Sequence, residues 1–198
     1  MSVKECLKRA VIYIVKGVPI KKVTTSIVQI APNELLKGRV ALLTGGTSGI
    51  GFAIANAFLK SGASVVITGR NESRIQDSCK KLLQNKDFQN RIFGVVMDNT
   101  DVAEFETCFQ KILSLLDGRN VDILINNAAI SPKVPFEDIP LEQLEQVLRV
   151  NLMGAFLCAQ EAAAQMKEKR WGRIISLASM AGRFGANKSG AHYAATKA

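Results

Sequence analysis

The chain has few side chains that bind metals or form disulfides. His192 is the only histidine among 198 residues, and the four cysteines are scattered without a CxxC pair. A zinc site draws on several closely spaced Cys, His or carboxylate ligands, so this composition argues against one. Disulfides follow oxidising compartments, and scattered single cysteines are typical of reduced thiols. The sequence therefore predicts a cytoplasmic protein that uses no metal.

Long hydrophobic runs are also missing. Only residues 10–15 resemble a membrane segment, and Lys16 ends them far short of the about 20 residues that a spanning helix needs. We therefore expect neither a membrane span nor export, with a cleaved mitochondrial presequence as the alternative. The β-branched residues in 11–15 and 23–30 are consistent with a short hairpin ahead of the main domain.

Acidic residues are scarce in the first part of the chain. The net charge is +9, and residues 1–39 contribute +6 of it through eight basic and two acidic side chains. Such a basic arm can meet phosphate or an anionic membrane surface. No zinc-finger spacing, RNA-binding motif or aromatic ladder accompanies it, so nucleic acid is not the predicted partner. We predict a basic arm over residues 1–36, solvated or packed on another subunit, and a dinucleotide-binding domain over residues 37–198.

From residue 37 onward, short apolar runs alternate with longer segments of helical spacing. This alternation is typical of βα units that build a parallel sheet, and it predicts an α/β, Rossmann-like, doubly wound fold. Ligands of such sheets bind at the carboxyl ends of the strands. The predicted strands are residues 40–44, 64–68, 91–97, 121–125 and 173–176, and the predicted helices are 50–60, with Gly62 as its C-cap, 72–83, 101–115 and 141–167.

A glycine-rich turn follows the first predicted strand. Gly45, Gly49 and Gly51 allow the chain to turn sharply and to approach an anion closely at the start of the next helix. Free N–H groups and the helix dipole favour phosphate there, so the turn predicts a dinucleotide pyrophosphate site. A purely structural turn is the alternative.

Arg70 follows the second predicted strand, where the adenosine ribose of a dinucleotide would lie. An acidic residue at this point would bind both ribose hydroxyls of NAD and repel a 2′-phosphate, but no carboxylate occurs before Glu72. The guanidinium of Arg70 offers a planar, permanently charged fork to a phosphate. We therefore favour NADP over NAD, and an ordinary surface arginine is the alternative.

Tyr193 and Lys197 lie four residues apart, so on a helix their side chains share one face. An ammonium beside a phenol stabilises the phenolate and lowers the pKa of the tyrosine from its usual value of about 10. Tyr193 is therefore a candidate acid and base. His192 points in a different direction on the same helix, so we expect no catalytic role for it. Asp122 is expected to be a solvated side chain.

Together these motifs resemble the short-chain dehydrogenase/reductase family, and among its members the 3-oxoacyl-ACP reductases, from about residue 37 to 198. The sequence Asn126-Asn127-Ala128-Ala129 stands where the family has Asn-Asn-Ala-Gly, a mild departure at Ala129. The resemblance implies NADP or NAD as cofactor, with Asp98 at the adenine. The implied cofactor contacts are Thr44, Gly45, Thr47, Ser48, Gly49, Ile50, Gly51, Arg70, Asp98, Asn127, Ala128, Tyr193 and Lys197.

The same resemblance implies hydride transfer between the nicotinamide and a carbonyl or secondary alcohol, such as a 3-oxoacyl or sugar substrate, without a metal. It gives Ser179 the role of binding the substrate oxygen and Tyr193 that of exchanging a proton with it. Ser176 is the weaker candidate for this serine. Lys197 would hold the ribose and support Tyr193. Asn151 would hold a water in a proton relay.

The chain ends one residue after Lys197, inside the predicted helix. Family members continue with further strands and a substrate-binding segment, so we expect the strand with Ile174 and Ile175 to be an uncovered edge. A final helix of about seven residues is also marginal. We therefore expect a poorly folded or inactive polypeptide, and a longer parent that is active and forms a homodimer or homotetramer. The alternatives are a non-catalytic nucleotide-binding fragment and an interaction protein that uses the basic arm.

Overall fold

Five parallel strands form the centre of the fold. The computed structural model describes residues 31–185 and 190–198. The strands lie in the order β3-β2-β1-β4-β5, so the chain winds outward from β1 in both directions. This confirms the predicted doubly wound α/β fold, while the predicted hairpin within residues 11–30 lies outside the described residues. The strands are β1 (Val40–Leu43), β2 (Ser64–Gly69), β3 (Ile92–Val96), β4 (Ile123–Asn126) and β5 (Arg173–Ser176).

Helices connect the strands and cover both faces of the sheet, as parallel sheets require. No helix in residues 31–185 and 190–198 combines the length and the apolarity that a membrane crossing requires. The helices are α1 (Gly49–Lys60), α2 (Glu72–Leu82), α3 (Phe105–Leu115), α4 (Leu141–Leu148), α5 (Gly154–Lys169), α6 (Met180–Phe184) and α7 (Ala191–Lys197).

The central strand β1 is apolar on both faces because it is buried on both faces. Successive side chains of a strand point to opposite faces of the sheet. Leu42 accordingly packs with Phe109 of α3 in one core cluster, and Leu43 packs with Leu59 of α1 in the other. Full burial of such a side chain contributes about 1.5–3 kcal/mol, so β1 is firmly held.

Gly62 ends the first helix as predicted. Its backbone φ of +94° lies in the left-handed region that favours glycine. The amides of Gly62 and Ala63 donate to the carbonyl oxygens of Leu59 (3.1 Å) and Phe58 (3.0 Å), which is the double hydrogen bond of a Schellman motif. The turn after α1 therefore delivers the chain directly into β2.

Two predicted helices are interrupted in the structure. The helix predicted over residues 101–115 begins as a 3₁₀ turn, because the Asp101 carboxylate accepts a hydrogen bond from the Ala103 amide (3.0 Å). The helix predicted over residues 141–167 contains a π-helical turn at Arg149–Met153, between α4 and α5. π turns often occur at functional sites, and this one contains Asn151.

The prediction that Asp122 is solvated was wrong. Its side chain is only 3% exposed at the amino end of β4. One carboxylate oxygen accepts from the backbone amide of Val40 (2.8 Å), and the other pairs with Lys169 (3.1 Å) and with Arg39 (3.7 Å). Buried carboxylates need such partners. Asp122 therefore joins β1, β4 and the end of α5 at the amino ends of the strands.

Candidate active site

A cleft of about 890 Å³ opens at the carboxyl ends of β1, β2, β3 and β4, and we call it the main cleft. This is where a doubly wound sheet binds its ligands. It contains most of the predicted cofactor contacts. These are Gly45, Thr47, Ser48, Gly49, Ile50, Arg70, Asp98, Asn127 and Ala128, with Ala129 and Ile130 beside them.

The glycine-rich turn forms one wall of the main cleft, and at Gly45 and Gly51 it leaves no room for a larger residue. Gly45 has a φ of +67°, and a Cβ atom there would lie 2.9 Å from the Cα of Ala128. A Cβ atom on Gly51 would overlap the carbonyl oxygen of Gly45 and lie 2.6 Å from Nδ2 of Asn127. The turn is therefore packed directly against the chain that follows β4.

Thr44 and Asn127 hold these two segments together. The buried hydroxyl of Thr44 accepts from the amides of Asn127 and Ala128, both at 3.1 Å. The side-chain amide of Asn127 donates to the carbonyl oxygens of Thr44 and Gly45, both at 2.9 Å. Thr44 and Gly51 do not line the main cleft, and they shape its wall from behind.

The start of α1 presents free backbone donors to the main cleft. Ser48 is the N-cap, and its side chain makes no capping hydrogen bond. Among the described residues, the amides of Gly49, Ile50 and Gly51 have no hydrogen-bond acceptor, since the first bond of the helix is from Phe52 to Ser48. Free amides at a helix N-terminus favour an anion such as a pyrophosphate.

Two arginines line the main cleft beyond β2. Arg70 was predicted from sequence, whereas Arg74, in the first turn of α2, was missed. Asn71 is the sequence feature that could have indicated the position of Arg74. Its side chain caps α2 by accepting a hydrogen bond from the Arg74 amide (2.9 Å) and so fixes where the helix starts. Glu72 lines a second groove along β3 instead of the main cleft. The cleft is therefore cationic at this end.

Asp98 lies at the end of β3 and is half-buried. Its Oδ1 accepts from both the amide (2.9 Å) and the hydroxyl (2.8 Å) of Thr100. Within the described part of the chain, its other oxygen has no protein donor. Asp98 is therefore held in one orientation with a free acceptor beside the main cleft.

Asn151 connects the main cleft to the last helix. Its Oδ1 accepts from the Ile130 amide, and its Nδ2 donates to the Ile130 carbonyl, both at 2.9 Å. Nδ2 also donates to the hydroxyl of Thr196 on α7 (3.1 Å). Both Nδ2 donors are thus used by protein, and Oδ1 keeps one acceptor position. The geometry makes Asn151 a tether, and its predicted role in a water relay stays a prediction.

Ser179, Tyr193 and Lys197 lie outside the main cleft, in what we call the C-terminal corner, residues 176–185 and 190–198. Ser179 is the N-cap of α6 and accepts from the Ala181 amide (3.2 Å). Lys197 donates from Nζ to the carbonyl oxygen of Leu177 (2.7 Å), two residues before Ser179. Partial burial lowers the pKa of Lys197. The lysine thus ties α7 to the chain that carries the serine.

Ser176, the weaker serine candidate, and His192 also lie in the C-terminal corner. Ser176 is the last residue of β5, and its hydroxyl accepts from Nδ2 of Asn126 (3.4 Å), as expected of a structural residue. His192 is buried, whereas the neighbouring Tyr193 is half-exposed, so the two side chains face different ways along α7. Neither ring nitrogen of His192 has a hydrogen-bond partner among the described residues.

Comparison with known families identifies this arrangement. The family model described as short chain dehydrogenase matches residues 39–198. The chain belongs to the short chain dehydrogenase family. The glycine-rich turn, Asn127 and the C-terminal corner all fall within the matched residues.

Individual family members are similar over most of this chain but are longer. The 3-oxoacyl-[acyl-carrier-protein] reductase of Aquifex aeolicus is 38% identical over 163 residues, which are 82% of this chain and 64% of that protein. A solved gluconate 5-dehydrogenase from Burkholderia cenocepacia, in complex with NADP and tartrate, superposes with a TM-score of 0.74 at 31% identity, covering 84% of this chain and 63% of that one. A Brucella melitensis 3-oxoacyl-[acyl-carrier protein] reductase with bound NAD gives 0.70 at 30% identity, covering 87% and 67%.

Proposed function

We propose that this chain belongs to an oxidoreductase that transfers a hydride between NADP(H) or NAD(H) and a carbonyl or secondary alcohol. The observation that carries the proposal is the wall of the main cleft. There the backbone of Gly49 borders open space, since a Cβ atom on it would meet nothing within 4 Å, and the amides of Gly49, Ile50 and Gly51 have no acceptor among the described residues. A pyrophosphate needs both close backbone approach and free N–H donors, so these residues fit a dinucleotide.

The coenzyme preference follows from charge. With Arg70 at the end of β2 and Glu72 turned to the other groove, the cleft offers a cation where a 2′-phosphate would lie. Arginine binds phosphate through paired, charge-assisted hydrogen bonds. We therefore favour NADP over NAD for this chain. In this proposal, Asp98 would accept a hydrogen bond from the adenine.

The residues that we propose for substrate binding and proton transfer lie in the C-terminal corner. When bound, the nicotinamide supplies or accepts the hydride. Ser179 would donate a hydrogen bond to the substrate oxygen, where negative charge develops in the transition state. Tyr193 would exchange a proton with the same oxygen, as a general acid in reduction and a general base in oxidation. Lys197 would support Tyr193 electrostatically from one helical turn away and hold the ribose.

Substrate and assembly follow from the relatives and from the surface. The relatives named above act on 3-oxoacyl groups and on gluconate, so we favour a small 3-oxoacyl or sugar-type substrate. Leu152, Met153 and Phe156 are large apolar side chains that are exposed around the π turn and the start of α5. Exposed apolar clusters mark contact surfaces, which supports a homodimer or homotetramer.

A second candidate function is a nucleotide-binding protein without turnover. It is favoured by one observation, because none of Ser179, Tyr193 and Lys197 lines the main cleft. Binding of NADPH without any consumption of it in the presence of carbonyl compounds would support this candidate.

The test is a substitution at Tyr193. For Tyr193→Phe we expect NADPH-dependent reduction of a 3-oxoacyl thioester to fall by at least about 10²-fold, because the phenolic proton is lost. The affinity for NADPH, measured by titration calorimetry, should stay within about twofold. Tyr13→Phe makes the same chemical change at the only other tyrosine and serves as the control. Equal turnover by Tyr193→Phe and Tyr13→Phe would contradict the assignment.

A further inference from the structure

Arg74 and Arg70 share the same end of the main cleft, and both are exposed. In the described part of the chain, neither guanidinium forms an ion pair, since the ion pairs found there involve Lys37, Arg39 and Lys169. Glu72, the acidic residue in the first turn of α2, is hydrogen-bonded to Gln76 (3.3 Å) and lines the other groove. Two unneutralised guanidinium groups therefore face one cavity.

Ser78, one turn further along α2, fastens this helix to the glycine-rich turn. Its side chain is buried, and its hydroxyl lies 2.9 Å from the carbonyl oxygen of Thr47 and 2.8 Å from that of Arg74. A serine has one hydroxyl hydrogen, so the two carbonyls share it. Thr47 belongs to the wall that presents the free amides. Ser78 thus links the pyrophosphate wall to the backbone of Arg74.

The end of β2 touches the same turn from the other side. A Cβ atom on Gly69 would lie 3.3 Å from the methyl group of Thr47, so these two segments are in contact. The positions of Arg70 and Arg74 relative to the turn are therefore set by two contacts, one through Gly69 and one through Ser78. The spacing between a pyrophosphate and a phosphate on the ribose is fixed by covalent geometry, so it requires such a fixed frame.

We propose that Arg74 completes, with Arg70, a two-arginine clamp for the 2′-phosphate of NADP, and that Ser78 is the positioning residue that sets the distance of this clamp from the glycine-rich turn. The inference rests on the proposed function, because it assumes that the main cleft binds a nicotinamide dinucleotide. It adds a specificity residue to Arg70 and explains why a buried serine joins two elements of the cleft wall.

The first experiment measures the dissociation constants of NADP⁺ and NAD⁺ by titration calorimetry. We expect Arg74→Ala to raise the constant for NADP⁺ by about tenfold and to leave that for NAD⁺ within about twofold, because only NADP⁺ carries the 2′-phosphate that a charge-assisted hydrogen bond from Arg74 would hold. Lys81→Ala removes a charge from the same helix outside the cleft and should change neither constant. Equal effects of Arg74→Ala on both nucleotides, or no effect on either, would overturn the proposal.

The second experiment tests Ser78 through non-additivity. Ser78→Ala should weaken NADP⁺ binding by about fivefold with little change for NAD⁺, since one neutral hydrogen bond is lost. If Ser78 acts through Arg74, the double variant should bind NADP⁺ no more weakly than Arg74→Ala alone. Additive losses, or equal losses for NAD⁺, would show a general structural role and overturn the positioning role.

The two failures are distinguishable in the same titrations. No binding of either nucleotide by the unaltered chain would contradict the proposed function, and the clamp with it. Binding of both nucleotides with a preference that Arg74→Ala leaves unchanged would contradict the clamp alone.

Discussion

The main cleft and the C-terminal corner are built on opposite kinds of support. The cleft rests on β1 and β4, in which every residue is buried, and its walls are joined by the reciprocal bonds of Thr44 and Asn127. The corner rests on β5, an edge strand with all four residues exposed. Its helices α6 and α7 have five and seven residues. The proposed coenzyme site and the residues proposed for proton transfer thus lie in parts of unequal burial.

The two regions are therefore held in place by different kinds of contact. Helices shorter than about 12–15 residues are not stable alone, so α6 and α7 depend on tertiary contacts. Among the described residues, three hydrogen bonds hold α7 and its N-cap: Asn151 to Thr196 (3.1 Å), Lys197 to Leu177 (2.7 Å) and Gly190 to Pro132 (3.1 Å). Helix α6 packs against the end of α7, where a Cβ atom on Gly182 would overlap the carbonyl group of Lys197. Proteins open locally where buried apolar contacts are few. We infer that the corner opens more readily than the cleft.

The largest effect is expected from Gly51→Ala in the cleft. The added methyl group would overlap the carbonyl oxygen of Gly45, and this backbone atom can move only if the glycine-rich turn is distorted. We expect a loss of about 3 kcal/mol of folding free energy, the upper end for overpacking, measured by urea unfolding, and at least about tenfold weaker NADPH binding. Gly118→Ala is the control for an added methyl group without a clash, because a Cβ atom there meets nothing within 4 Å. Its cost is limited to the strain of a φ of +75°, which Gly51 inside α1 does not have. Unchanged NADPH affinity in Gly51→Ala would break the claim that the cleft is rigid.

A smaller loss of folding free energy is expected from Asp122→Ala, at the amino ends of β1 and β4. The substitution leaves the buried Val40 amide without its acceptor and removes the partner of Lys169. Lys169 and Arg39 are about one third exposed and can be resolvated, so we expect a loss of about 2 kcal/mol in urea unfolding. Asp138→Ala, at an exposed aspartate without a positive φ, should cost far less. Equal stability of the two variants would contradict the buried network.

Thr196→Val tests the corner by itself. The change keeps the shape of the side chain but removes the acceptor for Nδ2 of Asn151. We expect about 1 kcal/mol of local destabilisation, which corresponds to roughly fivefold faster amide hydrogen exchange in α7. Exchange in β1 and the affinity for NADPH should not change. Faster exchange in β1 as well would show that the two regions unfold as one unit.

The smallest expected effect is a gain in folding free energy. Arg170 ends α5 in the left-handed conformation, with a φ of +51°, where a Cβ atom is unfavourable. Arg170→Gly should therefore raise the folding free energy by about 0.5–1 kcal/mol in thermal or urea unfolding. Arg170→Ala keeps the Cβ atom and should give no gain. A gain of the same size from alanine would mean that the charge matters rather than the backbone.

Sequence reasoning located the cleft better than it described its surroundings. The glycines lie close together in the chain just after β1, and Asn127 directly follows β4. Because neighbouring parallel strands end at the same side of the sheet, the sequence predicts that these two segments meet. Arg74 was missed because sequence does not say which face of a helix meets a cleft. Asp122 was misjudged because its partners Arg39 and Lys169 are distant in sequence. The π turn at Asn151 was missed because the apolar spacing of residues 141–167 continues through it.

The most direct test of the central claim is amide hydrogen exchange of the 198-residue chain with and without NADPH. We predict slow exchange in β1 and β4 and faster exchange in α6 and α7. We also predict that NADPH protects the amides of Gly49, Ile50 and Gly51, because these donors have no acceptor among the described residues and belong to the helix start that borders the main cleft at Gly49 and Ile50. Saturating NADPH that leaves those three amides unprotected would contradict the assignment of the main cleft as a dinucleotide site.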